Sequence, residues 1–244
     1  MRLPKPENAR ALIFDGDDTL WDTMPIYTQA KQKFYSIMSR CGFGHSEPAA
    51  FFEKRDSLNV AKLGFSRRRM QFSMLETYRH FCQQHHIKPI GAVETEIKAA
   101  AQAVFIEPAQ RMPYAEQVLR TLRKDCKLLL LTKGERSVQR WRLKTSRLAG
   151  YFDAVLIVGN KNAEIFARVV QKFRLNPQQT FSIGNSIRSD INPAIAAGLR
   201  AIWVPSPTWQ YEVEAPVNEQ DVIRVKSLRQ VPSAVRLHFG KAQI

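Results

Sequence analysis

Three carboxylates fall within four residues near the start of the chain, in the segment Asp15-Gly16-Asp17-Asp18-Thr19. The residues before them, 11–14, are apolar and are expected to form a short buried strand. Because side chains alternate along an extended chain, Asp15 and Asp17 are expected to point the same way just past this strand. Two neighbouring carboxylates are unfavourable unless a cation binds between them or one keeps its proton. The segment therefore predicts a site for a cation, a phosphate or both.

Polar side chains also follow three later apolar runs, which are residues 127–131, 154–158 and 180–183. The polar residues that follow these runs are Thr132, Lys161, Asn185 and Asp190. In doubly wound sheets, ligands bind beyond the carboxyl ends of the strands. We therefore expect these side chains to meet the Asp15 segment at one edge of a sheet.

The elements that must position these residues can be read from the periodicity. After residue 108, apolar runs alternate with single helical patterns, which predicts an α/β fold with a doubly wound parallel sheet and right-handed crossovers. From about residue 24 to residue 106, apolar residues instead recur at spacings of three and four, which predicts about four helices. The predicted organisation is a core of residues 1–23 and 107–244 with an all-helical insertion of residues 24–106.

The side chains expected at this sheet edge are carboxylates, a hydroxyl and an ammonium. This set suits phosphoryl transfer: an aspartate attacks phosphorus, a cation and a lysine neutralise the phosphoryl oxygens, and a neighbouring acid moves the proton.

Four segments, in this order, resemble the motifs of the haloacid dehalogenase superfamily. Asp15–Leu20 is similar to motif I, Thr132 to motif II, Lys161 to motif III and Gly184–Asp190 to motif IV. The resemblance covers roughly residues 9–23 and 108–205. It implies a Rossmann-like core, and it implies that the helical insertion is the cap that this superfamily places after motif I.

The resemblance also implies roles for these residues. Asp15 would be the nucleophile that forms an aspartyl-phosphate, and Asp17 would protonate the leaving oxygen and then activate water. Thr132, Lys133 and Lys161 would bind the phosphoryl group of the substrate. Mg²⁺ would be held by Asp15, the backbone carbonyl of Asp17, Asp190 and Asn185, an all-oxygen set that suits a hard cation.

The chain departs from the family pattern at two positions. Asn185 stands where many members have an acid, so Asp190 is left to supply the acidic contact to the metal. Lys161 is followed by Asn162 and not by the common proline, so Lys133 and Lys144 stay open as substitutes. The sequence thus predicts a Mg²⁺-dependent phosphatase that acts on a small phosphorylated substrate, with a phosphomutase or a dehalogenase as alternatives. A dehalogenase does not need the second aspartate, and Asp17 is present.

The chain carries a formal net charge of +15, which favours anionic ligands, including nucleic acid. A basic nucleic-acid- or protein-binding module on a degenerate scaffold of this family is therefore a further alternative. The three cysteines are too few and too far apart for a disulfide framework, and neither a signal peptide nor a spanning apolar run is evident, so a cytoplasmic protein is expected.

Two basic clusters leave a functional and a structural interpretation open. One helical face carries a stripe of four basic residues, Arg136, Arg140, Lys144 and Arg147, with Val138, Trp141, Thr145 and Leu148 on the other face. The stripe could bind a polyanion, but a solvated outer face is favoured. The triplet Arg67-Arg68-Arg69 could bind a second anionic group of the substrate, and a solvated loop or helix start is again favoured.

Overall fold

The computed structural model describes residues 10–207 and 212–240. Contacts divide the chain into two units. The first unit comprises the residues up to Asp22 and those from Ala109 onward, and the second comprises Thr23–Pro108.

In the part of the first unit that the structure describes, a parallel sheet has six strands in the order β5-β4-β1-β6-β7-β8. These strands are β1 (Ala11–Phe14), β4 (Lys127–Lys133), β5 (Ala154–Val158), β6 (Thr180–Gly184), β7 (Arg200–Trp203) and β8 (Val222–Arg224). Two further strands, β2 (Trp21–Asp22) and β3 (Gln110–Arg111), form a small antiparallel ladder. All four residues of β1 are buried, as expected for a parallel strand covered on both faces.

The second unit consists of four helices, α1 (Met24–Arg40), α2 (Ser46–Leu63), α3 (Arg67–Gln84) and α4 (Gly91–Ile106). After α1 the chain turns through Gly42 and Gly44, which have φ values of 84° and 74°, a region that favours glycine. The unit has its own apolar core, which includes Phe34, Phe52 and Met74.

A buried ion pair joins α2 to α3 in this helical unit. Arg69 contacts Asp56 through Nη1, and the two side chains are 4% and 6% exposed. Arg67 and Arg68, at the start of α3, are exposed. The solvated helix start that the sequence favoured for this triplet therefore describes Arg67 and Arg68. Arg69 differs, because it is buried and paired with Asp56.

Helices of the first unit pack on both faces of the sheet. They are α5 (Ala115–Leu122), α6 (Arg136–Thr145), α7 (Ala163–Phe173), α8 (Asn192–Ala196) and α9 (Val231–Gly240). On one face, Ile13 of β1 packs in a cluster with Phe166 of α7. On the other, Phe181 lies opposite Leu12 in the strand pairing and contacts Phe239 of α9, with the ring centroids 5.2 Å apart. The predicted α/β fold with a doubly wound parallel sheet is confirmed.

Three features of the fold were not predicted. The ladder of β2 and β3 and the strand β8 have only two or three residues per strand, too few to show a periodicity. Trp141, assigned to the inner face of α6, is 39% exposed.

None of the described helices is both long and apolar enough to cross a membrane.

Candidate active site

Asp15 lies immediately beyond β1, in the centre of the sheet. Its backbone N–H donates to the carbonyl of Ile183 at 2.9 Å, which continues the pairing with β6. Its side chain accepts from Lys161 Nζ at 2.5 Å on Oδ1 and from the Thr19 hydroxyl at 2.9 Å on Oδ2. Asp15 is only 8% exposed, so a carboxylate is held almost out of solvent at the end of the central strand.

Lys161 joins the ends of two strands. It follows β5, and its Nζ lies 2.6 Å from Asp190 Oδ1 as well as contacting Asp15. Burial alone would lower the pKa of the Lys161 ammonium, but the two carboxylates raise it above its ordinary value. Lys161 is therefore a buried cation between two acids, whereas Lys144, one of its suggested substitutes, is exposed on α6.

The second acid, Asp190, is positioned by the turn that follows β6. Its Oδ2 accepts from the backbone N–H of Ser186 at 3.0 Å. A Cβ on Gly184 would lie 2.2 Å from the same oxygen, so the carboxylate fits only because residue 184 has no side chain. Burial raises the pKa of Asp15 to about 7; Asp190 adds to this shift and Lys161 opposes it.

Asn185 is connected to this group through Thr19. The Thr19 hydroxyl lies 3.2 Å from Asn185 Oδ1 and accepts from the Asn185 backbone N–H at 3.1 Å. Because the same hydroxyl contacts Asp15, Thr19 links the amide oxygen of Asn185 to the Asp15 carboxylate. Asparagine in place of an acid at residue 185 thus keeps an oxygen that could bind a cation, but this oxygen carries no negative charge.

The Thr132 hydroxyl lies in β4, next to the loop that carries Asp15. Thr132 is 1% exposed, and its Oγ1 has no hydrogen-bond partner among the described residues. A Cβ on Gly16 would lie 3.1 Å from that oxygen, and 2.4 Å from the ring of Trp21. Because residue 16 is a glycine, the loop can approach both Thr132 and Trp21 closely. The buried Thr132 hydroxyl is available to a ligand.

Three donors from the described residues hold Asp17. Trp21 Nε1 donates to Oδ1 at 2.6 Å, while Gln139 Nε2 and Arg142 Nη1 donate to Oδ2 at 2.9 and 2.5 Å. Gln139 and Arg142 are buried on α6, and in the sequence they alternate with the exposed residues Arg136, Arg140 and Lys144. Neither was singled out from the sequence; the signal available was their spacing of three beside the buried Val138 and Leu143.

Lys133 is directed into a neighbouring polar cluster. Its Nζ donates to Ser189 Oγ at 2.7 Å and pairs with Glu212, whose other oxygen accepts from Ser186 Oγ at 2.5 Å and Ser189 Oγ at 2.7 Å. Burial alone would raise the pKa of Glu212, but Lys133 and the serine hydroxyls hold it below its ordinary value of 4.5. Sequence reasoning missed Glu212, because it lies far along the chain in a segment without clear periodicity.

The four residues of the basic stripe are all exposed. For Arg136, Arg140 and Lys144 this agrees with the solvated outer face that the sequence favoured, whereas Arg147 follows the end of α6 with a φ of 58° and is not on the helical face expected for it.

The donors available to a cation are oxygens. Within the described residues, no group of three or more His, Cys, Asp or Glu side chains is arranged to hold a metal ion. Asp15 and Asp190 nevertheless supply two carboxylates against the single charge of Lys161, and Thr19 links the amide oxygen of Asn185 to Asp15. This all-oxygen set with one negative charge in excess fits a hard divalent cation such as Mg²⁺.

Comparison with known proteins agrees with the motifs. Residues 9–198 match the family model of haloacid dehalogenase-like hydrolases. The chain is 28% identical over 207 residues to the human N-acylneuraminate-9-phosphatase, covering 80% of this chain and 82% of that protein. It is 23% identical over 254 residues to the phosphoserine phosphatase of Thermus thermophilus, covering 91% and 97% of the two chains.

A solved structure extends the likeness to almost the whole chain. The haloacid dehalogenase-like family hydrolase from Xanthomonas campestris has a TM-score of 0.80 and 25% identity, with 96% of this chain and 98% of that chain covered. Because the family model spans most of the chain and its motif residues meet at one sheet edge, the protein belongs to the family of haloacid dehalogenase-like hydrolases.

Proposed function

We propose that the protein hydrolyses phosphomonoesters through an aspartyl-phosphate formed on Asp15. The observation that carries the proposal is the meeting of Asp15, Lys161 and Asp190. Next to Gly16, in the loop that carries Asp15, lies the Thr132 hydroxyl, which has no partner among the described residues. This arrangement offers a nucleophilic oxygen, a cation and a free hydroxyl within one buried site, as transfer of a phosphoryl group requires.

The first half-reaction would transfer the phosphoryl group to the protein. A carboxylate oxygen of Asp15 attacks phosphorus, the bond from phosphorus to the ester oxygen breaks, and Asp17 gives its proton to that oxygen, which leaves as the alcohol. The Lys161 ammonium and the Thr132 hydroxyl would donate hydrogen bonds to the phosphoryl oxygens as negative charge develops there.

The second half-reaction would return the protein to its starting state. Asp17, now a carboxylate, takes a proton from water while the water oxygen attacks phosphorus. The bond from phosphorus to Asp15 breaks, inorganic phosphate leaves, and Asp17 carries the proton for the next cycle.

We propose that Mg²⁺ is held by Asp15, Asp190, Asn185 and the backbone carbonyl of Asp17. When bound, the cation would neutralise phosphoryl charge and favour the ionised form of Asp15. The effect on Asp15 matters because its carboxyl has a pKa of about 7 when no metal ion is bound. Near neutral pH, Asp15 would then be partly protonated and less able to attack phosphorus.

The substrate class follows from chemistry shared by the named relatives. N-Acylneuraminate 9-phosphate and phosphoserine are both phosphate monoesters of primary alcohols. We propose a small substrate of this class, and we propose that the helical unit, which follows motif I in the chain, is the cap that the family resemblance implies.

Hydrolysis of p-nitrophenyl phosphate with and without Mg²⁺ tests the proposal. Asp15→Asn should abolish turnover, Asp17→Asn should lower it strongly, and the matched change at the exposed Asp125 should leave it unchanged. Borohydride added during turnover should reduce the acyl-phosphate and yield homoserine at residue 15. Activity that survives Asp15→Asn would exclude the mechanism, and release of halide from a 2-haloacid without phosphatase activity would favour the dehalogenase alternative.

A further inference from the structure

The carboxylate of Asp17 is fixed by donors from two parts of the first unit. Trp21 lies four residues after Asp17, at the start of β2, whereas Gln139 and Arg142 reach Asp17 from α6, more than 120 residues later. The Asp17 side chain is 29% exposed, so it reaches solvent, but the Arg142 side chain is only 3% exposed. A surface-accessible acid is therefore anchored on a buried cation.

The donors on α6 are themselves held in place. Gln139 Nε2 donates to the carbonyl of Lys133 at 3.0 Å as well as to Asp17. Gln139 is buried, as is Arg142. A buried planar guanidinium has little freedom to reorient, and it orients a carboxylate more strictly than an ammonium would. Residue types and burial thus combine to restrict Asp17 to a single orientation.

The distribution of donors distinguishes the two oxygens of Asp17. A carboxylate has roughly four acceptor positions, two on each oxygen. Among the described residues, Oδ2 accepts from Gln139 and Arg142, whereas Oδ1 accepts from Trp21 alone. The acceptor position left for a proton is therefore on Oδ1.

We propose that Gln139 and Arg142 are positioning residues that make Asp17 exchange its proton through Oδ1. The inference rests on the proposed phosphatase activity, in which Asp17 passes a proton to the leaving oxygen and later takes one from water. Without the two donors on Oδ2, the carboxyl could rotate or carry its proton on the wrong oxygen, and protonation of the leaving group would become inefficient.

Dependence on the leaving group separates this role from a purely structural one. The p-nitrophenolate anion is a good leaving group and needs little help from an acid, whereas phenolate is poorer and gains more from protonation. Phenyl phosphate and p-nitrophenyl phosphate differ little in shape, so binding should be affected similarly for both. The ratio of their kcat/KM values therefore reports proton donation, and kcat/KM excludes the later hydrolysis of the aspartyl-phosphate.

The variants are Gln139→Leu and Arg142→Met, with Arg140→Met as the matched control on the exposed side of the same helix. We expect each of the first two to lower kcat/KM for phenyl phosphate about tenfold more than for p-nitrophenyl phosphate, a fraction of the typical gain from acid catalysis. Arg142→Lys should fall between wild type and Arg142→Met. Arg140→Met should change neither value.

Combination with Asp17→Asn completes the test. If Gln139 and Arg142 act through Asp17, their variants should not alter the substrate ratio further once residue 17 cannot carry a proton. Equal losses on both substrates, or the same ratio change with and without Asp17, would overturn the inference while leaving the phosphatase proposal intact. If Arg142→Met does not fold, Gln139→Leu, which removes no charge, tests the inference through the same ratio of kcat/KM values for the two esters. A wild-type protein that hydrolyses neither ester would overturn the proposed function, and the inference with it.

Discussion

Lys161 Nζ and Asp15 Oδ1 lie 2.5 Å apart, although 146 residues separate them in the chain. Both side chains are almost fully buried, and Asp190 approaches the same ammonium from the turn that follows β6. One cation thus serves two carboxylates in a region with little solvent. Removing either sign of charge should affect the stability of the fold as well as its chemistry.

Lys161→Met tests the contribution of this cation to stability. The substitution leaves Asp15 and Asp190 buried without their counter-charge, and we expect a loss of about 3–5 kcal/mol in the free energy of unfolding. Urea unfolding at pH 8 in the presence of a chelator measures it. Lys144→Met, at an exposed lysine, should stay within about 0.5 kcal/mol of wild type. Similar small effects at both lysines would show that the pair contributes little.

Asp15→Asn should stabilise the protein in a pH-dependent manner when divalent cations are absent. The ordinary pKa of this carboxyl is 3.8, and burial raises it to about 7 in the fold. Between these values the folded state binds more protons than the unfolded state, so wild-type stability falls as pH rises. The amide that replaces the carboxyl in this variant does not titrate, so the variant lacks this loss.

The stability difference between Asp15→Asn and wild type should therefore be small below about pH 4, grow up to about pH 7 and stay constant above it. Chemical unfolding at several pH values, with a chelator present, provides the curve. The exposed Asp125→Asn serves as the control and should show no such trend. A difference independent of pH would mean that the Asp15 carboxyl is not perturbed.

Gly184→Ala should displace Asp190. The new methyl would lie 2.2 Å from Oδ2 of the carboxylate, so the chain must shift, and we expect a loss of about 1–3 kcal/mol. Stimulation of the phosphatase by Mg²⁺ should require higher cation concentrations. Gly159→Ala, just after β5, has open space around the added methyl and should be neutral in both measurements. Wild-type behaviour of Gly184→Ala would contradict the packing described for Asp190.

Arg69→Met should destabilise the helical unit. It leaves the buried Asp56 without its partner, and a loss of about 3–5 kcal/mol is expected in thermal or urea unfolding. The neighbouring Arg68→Met changes an exposed side chain and should have an effect below about 0.5 kcal/mol. Replacing both members of the pair with apolar residues should recover much of the loss, because no charge then remains buried alone.

Much of the fold and of the candidate site could be predicted because both depend on local signals. An apolar run that ends in Asp15, and others followed by Thr132 and Lys161, indicate buried strands with polar ends. Parallel pairing then brings those ends to one edge without further information. The roles proposed for these residues stay predictions until the enzyme is assayed.

The residues that hold the site in place could not be predicted in this way. Arg142 was one of many basic residues in the sequence, and only its burial against Asp17 distinguishes it from Arg140. Glu212 acts through contacts with residues far away in the chain, and no periodic pattern surrounds it. The two-residue ladder at Trp21 is too short for any pattern and depends on packing against Gly16.

The central position of β1 has a consequence for synthesis on the ribosome. This strand is made before both of its neighbours, β4 and β6, which begin at Lys127 and Thr180. Asp190 is made later still, so a nascent chain carries Asp15 long before it carries the residues that surround Asp15 in the folded protein. Under the proposed mechanism, the growing polypeptide should therefore remain inert towards phosphate esters until Asp190 has left the exit tunnel.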